Sequence, residues 1–229
     1  MAVLVVGASS GIGKAIATGL IESGVDVISA SRNRPSINGI VHHTLDVTDP
    51  SADLSFIPDV LNGLVYCPGS INLKPFHRLK EEDFRKDLDI NVLGAIRVLQ
   101  GAFKALKKSD GASVVLFSTV AAKLGMNFHA SIATSKAALE GLGKSLAAEW
   151  SAHNIRVNIL APSLTDTPLA SQLLLNEDRR EASNKRHPIG RFGKAEDLSN
   201  LAQFLLSKES SWITGQVIGV DGGMGSLKP

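Results

Sequence analysis

The stretch Val3-Leu4-Val5-Val6-Gly7-Ala8-Ser9-Ser10-Gly11-Ile12-Gly13 carries the reading of the fold. Four aliphatic residues form a short strand, glycines then force a sharp turn, and apolar residues at helical spacing begin at Ile12. Glycine permits the backbone angles of such a turn and lets the main chain approach a pyrophosphate. The free N–H groups and positive end of the following helix would meet that charge. A glycine-rich turn alone can be purely structural. A strand before it and a helix after it favour a dinucleotide cradle built from Gly7, Ser9, Ser10, Gly11, Ile12 and Gly13.

Outward from this turn, aliphatic runs at 3–6, 25–30, 40–45, 62–67, 113–118, 155–160 and 216–220 read as strands. They alternate with helix-spaced patterns over 12–23, 81–107, 132–153 and 195–206. That alternation predicts an α/β fold, a Rossmann-like doubly wound sheet of about seven parallel strands with helices on both faces. The links 32–39 and 48–61 leave room for a turn or two of helix at most. No repeat or linker divides the 229 residues, so one domain spanning 1–229 is expected.

The formal net charge is +2 with both signs interspersed, which gives no footprint for nucleic acid and no polybasic membrane patch. Cys67 is the single cysteine, which excludes an internal disulfide and fits a reducing compartment. The first aliphatic run is too short for a signal segment and no run reaches membrane-spanning length, so a cytoplasmic location is expected. His42 and His43 are adjacent on a strand and would point to opposite faces, which argues against joint metal ligation.

The spacing Gly-x-x-x-Gly-x-Gly resembles the short-chain dehydrogenase/reductase family, and further motifs extend the resemblance over essentially the whole chain. Asp46-Val47-Thr48-Asp49 is similar to the family's adenine-contacting turn, although Asp46 alone would also suit an ordinary turn. Asn91, in Ile90-Asn91-Val92-Leu93-Gly94, matches the asparagine that bends a helix and holds a water linked to the active-site lysine. Read singly, it is a buried polar group with a local partner. Pro188-Ile189-Gly190-Arg191, Thr214-Gly215-Gln216 and Asp221-Gly222-Gly223 also follow the family pattern.

Cofactor choice is read at the end of the second strand, Ser29-Ala30-Ser31-Arg32-Asn33. An NAD enzyme usually carries an acidic residue there for the ribose hydroxyls. None is present, and Ser31, Arg32 and Asn33 suit a 2′-phosphate, so NADP is preferred over NAD. The alternative reading of Arg32 is a solvated loop charge.

The resemblance implies a lysine at Lys136, a strand-end hydroxyl at Thr119 with Ser118 as the weaker claimant, and a tyrosine four residues before the lysine. Position 132 is isoleucine instead. The only tyrosine, Tyr66, lies in the fourth strand, where Tyr66-Cys67-Pro68-Gly69 replaces Asn-Asn-Ala-Gly. Val6 replaces a threonine and Ser163 a glycine, whereas Gly69, Pro162, Leu164 and Thr167 keep the positions that would contact the cofactor. His129 is a remote candidate for a substitute acid.

Two functions follow. The first is an NADP-dependent oxidoreductase of weakened catalysis, acting on a carbonyl or alcohol through Asn91, Thr119 and Lys136. The second is a non-catalytic NADP-binding protein with a structural, sensing or hetero-oligomeric role. Substrate choice would fall to 167–188, whose leucines suit an apolar lid or an amphipathic helix packed on the core. Family resemblance implies a homodimer or homotetramer built through the long helices near Ala95 and Ala137 and the last strand.

Overall fold

The computed structural model describes residues 1–228. Seven strands form one parallel sheet in the order β3-β2-β1-β4-β5-β6-β9, namely Val41–Thr44, Asp26–Ser31, Ala2–Val6, Gly63–Tyr66, Ala112–Phe117, Ile155–Pro162 and Val217–Val220. This is the doubly wound sheet the alternating pattern predicts. A second ladder of two residues per strand joins β7 (Thr165–Asp166) to β8 (Gly193–Lys194).

Both faces of the sheet are covered, which is why its central strands β1, β4 and β5 are mostly aliphatic, whereas the edge strand β3, Val41-His42-His43-Thr44, is partly exposed. β4 and β5 are buried at every position. Side chains alternate across the sheet plane, so Leu4 and Val6 join one core while Val3 and Val5 join the other. The first core packs α3 (Gly94–Lys107) and α4 (Ala130–Trp150) through Leu99, Leu106, Leu139 and Trp150. The second packs α1 (Gly11–Glu22) and α6 (Ala195–Leu206) through Ile16, Leu20, Leu198 and Leu205. Each such fully buried side chain contributes about 1.5–3 kcal/mol of apolar transfer energy.

Three elements differ from expectation. The helix over 81–107 is two α-helical segments, α2 (Glu81–Leu88) and α3, joined by a π turn at Asp89–Leu93. Side chains satisfy two carbonyls of this region: Asn91 Nδ2 donates to Asp87 O at 2.8 Å, and the Tyr66 hydroxyl donates to Ile90 O at 2.6 Å. The helix expected from Ile132 begins at Ala130 and ends at Trp150, with a 3₁₀ turn beyond it.

The leucines of 167–188 are not on one amphipathic helix. Leu169, Leu173 and Leu174 fall in 3₁₀ turns over Pro168–Leu174 and Leu175 follows them; Leu174 is buried, Leu169 and Leu175 exposed. The helix of this region, α5 (Glu177–Arg186), is polar on all sides. Apolar periodicity cannot reveal such a helix. Asn176 caps it by accepting the Arg179 N–H at 3.0 Å, and a Lys185–Glu181 pair lies along it.

Candidate functional site

The strand order reverses between β1 and β4, and the crevice outside the C-terminal strand ends at such a point is where α/β sheets bind ligands. A cavity of about 510 Å³ opens there. Gly7, Ser9 and Ser10 line it, followed by Gly11, Ile12 and Gly13 of the first turn of α1. The turn depends on glycine at three of these places, Gly11 having φ +54°. Gly7 has φ +86°, and a Cβ on Gly13 would lie 2.3 Å from Gly7 O. Ser10 is extended and makes no side-chain cap, leaving the helix's first N–H groups to an anion. This cradle fits a dinucleotide pyrophosphate.

Ser31 at the end of β2, with Arg32 and Asn33 after it, borders the cavity, as do Asp46 and Val47 beyond β3. Arg32 is exposed, whereas Ser31 is buried and its hydroxyl donates to Asn33 O at 2.9 Å, so it must turn to serve a phosphate. Hydrogen bonds from Thr48, first from its backbone N–H and then from its hydroxyl, hold the Asp46 carboxyl below the usual carboxylate range. Asp46 therefore stays an acceptor. Pro162, Leu164 and Thr167 form the opposite wall, and Thr167 stands against Gly11, where an added Cβ would meet its side chain at 3.2 Å.

Thr119, Ile132, Lys136 and Gly69 face the same cavity. The two strand-end hydroxyls are in different states. Ser118 is buried and donates to Glu140 Oε1 at 2.7 Å, while Thr119 accepts the Ala121 N–H at 3.3 Å and keeps its own proton free. Lys136 is 6% exposed and donates to Phe117 O at 2.7 Å. Burial lowers its amine to about 8, against the opposing pull of Cys67 and Asp87. Burial also pushes the neighbouring Cys67 thiol up to about 12, so it stays protonated.

Asn91 is the one expected site residue behind the cavity wall, fully buried in the π turn. Its amide nitrogen is held by Asp87 O, Ser70 Oγ at 3.2 Å and Ser135 Oγ at 3.1 Å. Its Oδ1 has no protein partner. That oxygen faces Gly69, where an added Cβ would lie 3.4 Å from it and 3.5 Å from Lys136 Nζ. Tyr66 does not line the cavity. It is 1% exposed in the core, donates to Ile90 O, and burial raises its hydroxyl pKa. His129 lines the cavity at the start of α4, its Nδ1 2.7 Å from Asn127 O. His42 and His43 do diverge, one to Ser29 Oγ at 2.7 Å and the other stacked on Phe56.

The sequence reading missed His187. It is 3% exposed, lines the cavity, and places Nε2 2.9 Å from Ser163 Oγ. Only the departure at Ser163 was visible in the sequence, since its partner lies 24 residues away. Among the described residues no three His, Cys, Asp or Glu side chains gather as a metal site, and no helix is long and apolar enough to cross a membrane.

The state of Lys136 predicts a pH effect on stability. An unfolded lysine titrates near 10.4, whereas in the fold the amine titrates at about 8. Below pH 8 both states are charged and the full burial cost applies. Between about 8 and about 10 the native state loses its proton first, unfolding takes one up, and stability rises with pH. Urea denaturation of wild type and Lys136→Met at pH 7 and pH 10 should show the wild type gaining relative to the variant. A difference independent of pH would refute the assignment. Cys67 acts in the opposite direction but is common to both proteins.

Residues 7–225 match the family model described as enoyl-(acyl carrier protein) reductase. The chain is 34% identical over an alignment 238 positions long to the 3-oxoacyl-(acyl-carrier-protein) reductase of Thermotoga maritima, covering 96% of each. Among solved structures, the aldohexose dehydrogenase of Thermoplasma acidophilum superposes with a TM-score of 0.93 at 30% identity, covering 100% of this chain and 95% of that one. A candidate 2-deoxy-d-gluconate 3-dehydrogenase from Agrobacterium tumefaciens with bound NADP superposes at 0.89 and 31%, covering 99% and 96%.

Proposed function

Because the chain belongs to the short-chain dehydrogenase/reductase family of oxidoreductases, we propose that it binds NADP and interconverts a small carbonyl and alcohol without the usual phenol. The observation that carries this reading is the single cavity in which the glycine turn, Arg32, Asp46, Thr167, Thr119 and Lys136 meet, with Ile132 on the same wall. One nicotinamide dinucleotide domain, 1–229, suffices for it.

When bound, the reduced cofactor supplies a hydride. The protein's part is placement and proton handling. The α1 amides and glycine turn hold the pyrophosphate, Asp46 with the backbone at Val47 receives the adenine, and Arg32 meets the 2′-phosphate. Thr167, with Pro162 and Leu164, fixes the carboxamide end. Lys136 holds the nicotinamide ribose, Thr119 donates to the substrate oxygen, and Asn91 Oδ1 with Lys136 anchors the water that passes protons. The NADP-bound relative from Agrobacterium tumefaciens supports the cofactor choice. The outer edge of β9 and the exposed Phe204 and Trp212 support assembly as a homodimer or homotetramer through this edge and the long helices α3 and α4.

Binding titrations with NADPH and NADH, followed by NADPH oxidation assays over ketones and aldehydes, test the reading. Tight NADPH binding with turnover supports it. Tight binding with no turnover favours the second reading, a non-catalytic NADP-binding protein, whose specific support is the absence of any phenol at the cavity. Arg32→Glu is expected to weaken NADPH about 10- to 100-fold, the loss of a charge-assisted contact worth about 1.5–3 kcal/mol, and to leave NADH nearly unchanged. Equal weakening of both dinucleotides would place Arg32 outside the phosphate site.

A further inference from the structure

Resting on the oxidoreductase reading above, the geometry points to a proton relay of Ser163 and His187 that serves the substrate oxygen in place of the phenol position 132 lacks. His187 follows α5, and its Nδ1 lies 2.6 Å from the Ser183 carbonyl. A carbonyl can only accept, so Nδ1 carries the hydrogen and the ring is held in one tautomer. Nε2 is thereby aimed at Ser163 Oγ, 2.9 Å away. Ser163 directly follows β6 and shares the cavity with Thr119, Ile132 and Lys136. A hydroxyl, a base and a group that orients the base form an activated pair.

Met224 makes the pair switchable. Its Sδ lies 3.0 Å from Ser163 Oγ, opposite in chemistry to the imidazole. The serine has one proton. With neutral His187 that proton goes to Nε2, the better acceptor. With the imidazolium, Nε2–H donates to Oγ and the serine proton turns to the thioether, a weak acceptor that a substrate oxygen displaces.

The reduction then balances. The carbonyl carbon gains a hydride from a reduced nicotinamide, forming a C–H bond as the C=O π pair moves to oxygen. That oxygen takes the Ser163 proton while Oγ takes the Nε2 proton of His187. His187 ends neutral and recovers its proton from solvent. The carbonyl is reduced and the nicotinamide oxidised. Alcohol oxidation runs the same path backwards.

The first test needs no turnover. Nitrogen NMR of histidine-labelled, ligand-free protein should show His187 as the Nδ1–H tautomer, with an Nε2 signal that moves in Ser163→Ala; the other tautomer, or an unmoved signal, overturns the relay. In NADPH-dependent reduction, Ser163→Ala and His187→Gln should each lower kcat by about 10²-fold or more. KM, NADPH affinity and melting temperature should change little, and the double variant should be no slower than either single one. Gln can hold the Ser163 contact but cannot deliver the proton, so its recovery of wild-type kcat would reveal a merely structural histidine and sink the proposal. In an Ile132→Tyr background, Ser163→Ala should cost little. Variants that match a turning-over wild type overturn the relay alone. A wild type that binds NADPH but reduces no substrate overturns the oxidoreductase reading and the relay together.

Discussion

In a Ser163→Ala background, Ile132→Tyr is expected to raise kcat for NADPH-dependent carbonyl reduction by about 10²- to 10⁴-fold, the usual worth of a positioned general acid. Ile132 and Lys136 stand one turn apart on α4 and face the same cavity, so a phenol at 132 would lie beside the ammonium that favours its ionised form. Thr119, whose hydroxyl proton is free, completes the pair of donors around the substrate oxygen. Ile132 is buried but lines the cavity, so the longer side chain would extend into it. NADPH affinity should stay near the wild-type value, because the cradle is untouched. Steady-state rates for the two proteins on the same carbonyl panel provide the check. An unchanged rate would mean that proton transfer to the substrate does not limit this active site.

Gly13→Ala is expected to damage the cradle itself. The added Cβ would sit 2.3 Å from Gly7 O and 2.9 Å from Gly7 C, and both are backbone atoms that no rotamer change can move. The N-terminus of α1 must retreat from the glycine turn. Such overpacking costs about 1–3 kcal/mol. For a protein of this size that lowers the melting temperature by roughly 2–12 °C. The same retreat pulls the helix amides away from the pyrophosphate, so NADPH affinity should fall by more than about tenfold. Gly141→Ala, on α4 where an added Cβ meets nothing within the chain, supplies the contrast and should leave NADPH affinity near the wild-type value. Thermal melts and NADPH titrations on both variants separate close approach at Gly13 from a general effect of removing glycine.

Local chemistry made much of the site legible in advance. Gly7, Gly11 and Gly13 announce a backbone that must turn and approach closely. The alternation of aliphatic runs and helical patterns needs both faces of a sheet covered, which is what the two cores show. Other features were hidden because they depend on which groups meet. Ser118 and Thr119 are equivalent as neighbours in sequence, and only Glu140 on α4 takes the proton of one and leaves the other free. The polar helix α5 has no apolar stripe to betray it, yet it delivers His187 to the cavity.

The sequence by itself determined the doubly wound sheet, the tight glycine turn before α1 and the isoleucine at 132, because strand and helix periodicity, glycine geometry and side-chain identity are local properties. The tertiary structure alone decided how protons are distributed. Asn91 Oδ1 is left unpartnered beside Lys136, Tyr66 is committed to Ile90, and Ser163 is joined to His187. Hydrogen bonds and desolvation act over a few ångströms between residues far apart in the chain, and only folding sets those distances.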